Sequence, residues 1–275
     1  AGAGWRRADV AASGDGGASY AIAATLPGGA VIGSAVTALP AGATAGWDAH
    51  GAVTVELLAE AMWLESASPA AVLAGANRAL LGDEIVQFTR AEALGSRRFR
   101  LSGLLRGRRG SEAAVTGHAA GERFVLLDPA DLVALDPGLE RLGQTLLLRP
   151  EGAGDADAVA QAVLVTGAAL RPLAPARLRL HHDGGDLVAR WIRRSRAGFA
   201  WTDGIDAPLA EANEAYRVSI RLDGRLARRF DVTAPAARYT AADRLADGGG
   251  SVVTVAVAQL SAAVGPGAQA IASLA

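Results

Sequence analysis

Residues 97–112, RRFRLSGLLRGRRGSE, concentrate charged side chains, with six arginines interleaved among leucine, serine and glycine. The glycine spacing matches neither the GxGxxG nor the GxxxxGK[ST] phosphate-binding motif, and the whole chain lacks lysine. A net charge of −1 gives no general attraction to nucleic acid, and no aromatic platform accompanies the arginines. We therefore predict contacts with carboxylates, those of Glu112 or of a neighbouring subunit, because the guanidinium fork suits them. The predicted subunit contacts are Arg106, Arg108 and Arg109.

A second candidate site is the segment 193–214, RRSRAGFAWTDGIDAPLAEANE, which separates two predicted strands. Long ordered loops often carry function, and this one combines positive charge with aromatic rings. The candidate contacts with a glycan or protein partner are Arg193, Arg194, Arg196, Phe199 and Trp201. The simpler interpretation, which we favour, is that Phe199 and Trp201 anchor the loop to its own domain.

Several kinds of catalytic and metal chemistry are excluded or disfavoured. The chain has no cysteine, and all 27 basic residues are arginine, so thiolate and lysine chemistry are excluded. The four histidines form no HExxH or similar cluster, and His181 and His182 point to opposite faces of a strand. No GxSxG nucleophile elbow is present. We predict no enzyme activity, no metal and no cofactor.

Acidic pairs leave a hydrolase as an alternative. Asp128 with Asp131, or Asp203 with Asp206, could be proposed as a glycosidase pair. Aspartate beside glycine or proline ordinarily belongs to a turn, however, so we do not favour this interpretation.

The positions of these side chains depend on strands. Glycines, 34 of the 275 residues, separate short runs that have the residue pattern of β-strands. This arrangement predicts a mainly β protein. In 98–105 the alternation predicts that Phe99 and Leu101 face inward, while Arg98 and Arg100 face solvent. Gly82 and Asp83 predict a hairpin turn. The predicted strands of this first region are 20–26, 53–58, 84–88, 98–105 and 123–128.

Pro172 and Pro175 mark a boundary between a β-rich domain at 1–172, which we expect to divide near residue 130, and a sandwich at 173–275. The predicted sandwich strands are 176–182, 186–194, 215–222, 225–232, 237–241, 251–260 and 268–274. Alternating apolar residues predict the core face of three of them: Leu187, Ala189 and Trp191; Tyr216, Val218, Ile220 and Leu222; Val253, Val255, Val257 and Gln259.

No membrane-spanning segment is predicted. Residues 16–47 carry no charge, but Pro27, Pro40 and several glycines interrupt them. Asp9 and Asp15 lie where the apolar region of a signal peptide would be, so no signal peptide is predicted. The chain begins with Ala and its only methionine is Met62, so we expect a processed product or a piece of a longer polypeptide.

The order of the last strands resembles a fibronectin type III domain, with Trp191 on the second strand and VTVAVAQLSAAVGPGAQAIASL as the final pair. It departs from that pattern at Val252 or Val253, where a tyrosine is usual. Over nearly its whole length the chain resembles the carboxy-terminal part of phage tail-tip, host-specificity or baseplate-hub proteins, including those of gene transfer agents. The most specific segments are LSGLLRGRRGSEAAVTGHAAGERFVLLD and the spacing WIRRSR…W.DG…PL.E..E.Y.V.

This resemblance implies a structural, non-enzymatic role at a virion tail tip that faces the host cell, with a contribution to host attachment and DNA delivery. It implies a homotrimer in the full-length hub, contacts with other tail and baseplate proteins, and a host surface polysaccharide as a further candidate partner. Specific nucleic-acid binding is not implied. The alternatives are a pair of carbohydrate-binding modules and a hydrolase of cell-wall polysaccharide.

Overall fold

The computed structural model describes residues 7–152, 158–198 and 204–275. The chain divides into two compact units, residues 1–166 and 167–275. The predicted boundary lay between residues 172 and 173. Within the described part of the chain, no helix is long and apolar enough to cross a membrane.

The first unit contains ten strands and one short helix among its described residues. They are β1 (Ala8–Ser13), β2 (Ala21–Leu26), β3 (Ile32–Ala35), β4 (Trp47–Leu57), α1 (Pro69–Leu73), β5 (Arg78–Leu81), β6 (Glu84–Gly95), β7 (Arg98–Leu105), β8 (Arg123–Leu126), β9 (Thr145–Gly152) and β10 (Gln161–Leu164). Short 3₁₀ turns occur at Arg108–Gly110, Glu112–Ala114 and Leu139–Arg141.

Six of these strands form a closed antiparallel barrel in the order β3-β4-β7-β6-β5-β8, which closes where β3 pairs with β8. The interior is filled by alternate apolar side chains, including Val53 and Val55 of β4 and Phe99 and Leu101 of β7. Arg98 and Arg100 point to solvent, so the predicted faces of β7 are confirmed. The predicted hairpin is also confirmed, because Gly82 joins β5 to β6 with a φ of 56°.

The remaining four strands of this unit form an antiparallel sheet in the order β10-β9-β1-β2. Of these, only β2 was predicted. The strand β1, ADVAAS, is built largely from small residues, and β10 is exposed along its length, so neither shows a clear inward-facing apolar pattern.

The second unit contains seven strands and one helix among its described residues. They are β11 (Ala176–Asp183), β12 (Asp186–Ile192), β13 (Tyr216–Leu222), β14 (Arg225–Val232), β15 (Ala236–Tyr239), α2 (Ala241–Ala246), β16 (Val253–Ser261) and β17 (Gly265–Leu274). A 3₁₀ turn at Ala168–Leu170 precedes them. Each predicted sandwich strand corresponds to one of these seven.

The seven strands form a sheet β11-β12-β15 and a sheet β14-β13-β16-β17. This three-plus-four antiparallel order is that of a fibronectin type III-like sandwich, so the fold-class prediction of a mainly β chain ending in such a domain is confirmed. The three predicted core faces are buried, and Trp191 packs edge-on against Tyr216 with ring centroids 5.2 Å apart. Thr240 caps α2, since its side chain accepts a hydrogen bond from the Asp243 N–H.

Candidate functional site: a buried ionic cluster in the barrel

A cluster of ionisable side chains lies inside the barrel unit, centred on Arg106. The Arg106 side chain has no exposed surface, and neither has that of its partner Glu84. Arg106 Nε donates to both Glu84 oxygens at 2.9 and 3.1 Å, and its Nη2 donates to Oε2 at 2.8 Å. Nη1 and Nη2 also donate to the carbonyls of Pro40 and Val115, at 2.8 and 3.2 Å. Arg106 therefore ties three separate segments together.

Asp48 joins the cluster from β4 and links it to a tight turn. Its Oδ2 accepts a hydrogen bond from Arg106 Nη1 at 3.1 Å, and its Oδ1 accepts from the N–H groups of His50 and Gly51 at 3.2 and 2.7 Å. Burial alone would raise the pKa of Asp48, but the hydrogen bonds from Gly51 and Arg106 outweigh it and hold the pKa below its ordinary value.

His118 completes the cluster between two carboxylates. Its Nε2 lies 2.7 Å from Glu84 Oε2 and its Nδ1 lies 2.7 Å from Glu122 Oε2, with only 3% of its side chain exposed. Each ring nitrogen therefore faces a carboxylate oxygen, and a ring nitrogen that carries a hydrogen donates it to the oxygen that it faces. Burial opposes ionisation of Glu122, but its contacts with His118 and the Ala119 N–H lower its pKa overall.

The segment after β7 folds over this cluster because two residues adopt left-handed backbone conformations. Gly107 has a φ of 58° and donates its N–H to Glu84 at 2.6 Å. A side chain at Gly107 would also come within 3.0 Å of the Glu112 backbone. Arg109 has a φ of 57°, and Ser111 accepts the Ile85 N–H. The segment thus covers the start of β6 and shields Glu84.

The contacts of this cluster hold segments of the barrel unit together. Arg106, Glu84 and His118 are shielded from solvent, so a substrate cannot reach them in this conformation. No group of three or more His, Asp or Glu residues in the described ranges could hold a metal ion. The cluster instead connects β4, β6, the segment after β7 and the residue before β8.

The predicted subunit contact is wrong for Arg106, because the side chain is fully buried and its carboxylate partners are Glu84 and Asp48. The reason lies at Gly103, whose φ of 62° shifts the inward-facing positions from Phe99 and Leu101 to Leu104 and then Arg106. Arg108 is half-buried and donates to Gln87 Oε1 at 3.0 Å, whereas Arg109 is exposed. For these two arginines the subunit contact stays a prediction.

The arginines of the loop 193–214 contact residues of their own unit. Arg193 contacts Asp206 at 2.7 Å and the carbonyls of Ala207 and Pro208 at 2.7 and 3.1 Å. Arg196 contacts the Glu211 carboxylate at 3.1 Å and the Ala210 carbonyl at 2.7 Å, and Arg194 donates to the Ala174 carbonyl at 3.4 Å. These guanidinium groups hold the loop to its own unit.

Two members of that predicted set, Phe199 and Trp201, lie outside the described residues, and so does Asp203. The ligand contact at this loop therefore stays a prediction. Of the proposed acid pairs, Asp128 accepts the Ala130 N–H at 2.9 Å in a turn, and Asp206 pairs with Arg193. His181 and His182 are exposed on β11.

Sequence reasoning missed Asp48, Glu84 and His118 as partners of Arg106. Two signals were present. Asp48 is the acid that ends the uncharged run 16–47, and Glu84 precedes the apolar-rich stretch IVQF near the start of β6.

Comparison with protein families gives one match: a family described as "Rcc01698-like, C-terminal" matches residues 30–125. Rcc01698 is a gene transfer agent-associated protein. The match covers about a third of the chain and coincides with the barrel, which runs from Ile32 to Leu126. No curated protein sequence matches the chain.

Among solved structures, domains d3–d4 of the rat CD45 extracellular region are 9% identical, cover 52% of this chain and 70% of that chain, and have a TM-score of 0.29. The chicken interferon gamma receptor alpha chain is 8% identical, with coverages of 88% and 97% and a TM-score of 0.29. The central fibronectin-III array of RIM-binding protein is 11% identical, with coverages of 88% and 63% and a TM-score of 0.27. At these TM-scores the likenesses support no argument about function.

Proposed function

We propose that this chain is a structural part of the tail tip of a phage or gene transfer agent, within the baseplate hub, where it contributes to host attachment and DNA delivery. The observation that carries the proposal is the match of the barrel, residues 30–125, to the Rcc01698-like family. The resemblance of the flanking segments to tail-tip proteins extends it to the rest of the chain.

The construction of the two units is consistent with a structural role. The barrel is closed, and the buried contacts of Arg106 cross-link strands that are distant in sequence. The second unit is a fibronectin type III-like sandwich. We further propose that the chain acts without catalysis, as part of a homotrimer in the full-length hub, and that it contacts other tail and baseplate proteins.

Immunogold electron microscopy of particles from cells that carry this gene tests the proposal. Antibodies raised against the barrel unit should label the end of the tail that is distal to the head, and particles from a strain lacking the gene should show no label. Label on the head, or absence of the chain from purified particles, would overturn the assignment. The native mass of the full-length gene product separately tests the trimer.

A further inference from the structure

A polar cleft lies on the outer wall of the barrel, where β4, β7 and β6 run side by side. Its volume is about 300 Å³, and its polar lining comes from His50, Gly51, Arg90, Glu92, Arg100 and Ser102. This volume is at the lower end of the range for small-molecule sites, roughly 300–1,000 Å³.

The cleft is built by the strand register. Ser102 is paired with Arg90 of β6, and Arg100 is paired with Glu92. The four side chains form a two-by-two block on one face, because residues two apart in a strand share a face. On the other side, β4 pairs with β7 through Ala52 and Thr54.

One wall of the cleft is fixed by the buried cluster. The register of β4 against β7 shifts between Asp48 and Ala52, and the intervening turn is held by the Asp48 carboxylate. A Cβ on Gly51 would collide with that carboxylate, so the turn needs glycine here. Asp48 is in turn held by Arg106. The cleft is therefore preorganised by buried contacts.

The guanidinium groups of the two arginines in the cleft have no partner within the part of the chain that the structure describes. The side chains of Arg90 and Arg100 make no hydrogen bond or ion pair there, and the Arg100 guanidinium does not contact Glu92, its cross-strand neighbour. Elsewhere on the barrel, Arg98 pairs with Glu56 at 2.8 Å and Arg123 pairs with Asp83 at 3.1 Å. Arg90 and Arg100 therefore offer free donors to a ligand.

We propose that this cleft binds an acidic sugar unit. Arg90 and Arg100 bind its anionic group, because guanidinium groups pair with carboxylate or phosphate through two parallel hydrogen bonds. His50, Glu92 and Ser102 bind its hydroxyl groups, since together they supply donors and acceptors. No aromatic side chain lines the cleft, which disfavours a nucleobase, whose binding relies on stacking.

The size of the cleft favours a sugar over a protein surface. A specific protein interface buries roughly 800 Å² per partner, whereas this open cleft has a volume of only about 300 Å³. The inference concerns the isolated chain and does not depend on its place in a tail. A negative immunogold result would therefore not contradict sugar binding. Absence of sugar binding would not contradict the tail assignment.

Isothermal titration with three probes tests the proposal on the full chain. Trigalacturonate supplies carboxylated sugar units, maltotriose supplies neutral ones, and inorganic phosphate supplies the anion alone. We expect trigalacturonate to bind at least tenfold more tightly than either of the others. Equal binding of maltotriose would overturn the role of the arginines, and equal binding of phosphate would overturn the role of the hydroxyl-binding groups.

Variants locate the site. Arg90→Gln and Arg100→Gln should each weaken trigalacturonate binding at least tenfold. Arg98→Gln is the matched control, because it lies on the outer face of β7 two residues from Arg100 but outside the cleft, and it should leave binding within twofold. Circular dichroism checks that each variant is folded. Unchanged binding in both cleft variants, or absence of trigalacturonate binding to the wild type, would overturn the proposal.

Discussion

Replacing Arg106 by methionine should destabilise the barrel strongly. The change removes every contact of the guanidinium: three hydrogen bonds to Glu84, one to Asp48, and those to the Pro40 and Val115 carbonyls. Removing one partner of a buried ion pair costs about 3–5 kcal/mol, because the other charge stays buried without compensation. For a unit of this size that is a fall in Tm of roughly 6–20 °C.

Hydrogen-exchange mass spectrometry in increasing urea measures this loss within the intact chain. Peptides from 78–126 report on the barrel and peptides from 216–260 report on the sandwich, which should not change. Arg123→Met is the matched control, because its partner Asp83 is 86% exposed and such surface pairs contribute about 0–1 kcal/mol. A loss below about 1 kcal/mol for Arg106→Met, equal to the control, would refute the reasoning.

A second replacement tests whether the loss comes from the uncompensated charge. Arg106→Met leaves the buried Glu84 carboxylate without this counter-charge, and Glu84→Met removes that carboxylate. In the wild type the two side chains contact each other directly. The double variant should therefore lose less stability than the sum of the single variants, by at least about 0.5 kcal/mol. Strict additivity would show that Arg106 acts through packing alone.

Three further predictions concern other parts of the chain. Gly33→Ala should destabilise the barrel by about 1–3 kcal/mol, because the new methyl group would collide with the Glu56 carbonyl, whereas Gly46→Ala meets no neighbour and should change urea unfolding little. Tyr239 should stay protonated past pH 11, since burial and then its hydrogen bond to Asp247 raise its pKa to about 12. The difference between the ultraviolet titrations of the wild type and Tyr239→Phe isolates this group among the three tyrosines, and a midpoint near 10 in that difference would contradict the prediction. Asp48 has a lowered folded pKa, so its stabilisation is complete above its ordinary value of 3.8 and is lost as the pH falls through the folded value. Asp48→Asn should thus flatten the pH dependence of the urea midpoint between pH 2 and 5; an unchanged slope would contradict it.

The strands of the sandwich could be predicted because each carries a simple alternation with one buried side. Trp191, Tyr216 and Val255 lie in such runs, and all are in the core. Turn residues at Asp223 and Gly224 separate two of the strands, and both have positive φ values. Local pattern was sufficient there because the strands pair mostly with their neighbours in sequence.

The barrel and its cluster needed information that local pattern does not carry. The strand β3, IGSA, has little apolar alternation, and its pairing with β8 joins residues about 90 positions apart. The left-handed Gly103 reverses the faces of β7, so an alternation counted from Phe99 places Arg106 outside. The polar cleft depends on the strand register, which single-strand patterns leave open.

The barrel is closed by β8, its last strand in the sequence, and this order matters while the chain is being synthesised. β8 pairs with both β3 and β5, so these two strands keep unpaired edges until residues 123–126 have emerged from the ribosome. Unpaired edges recruit strands from other chains, and contacts between distant residues form slowly. A nascent or truncated chain that stops before Arg123 is therefore prone to aggregate. Synthesis of the four residues of β8 allows both edges to pair and lowers that tendency.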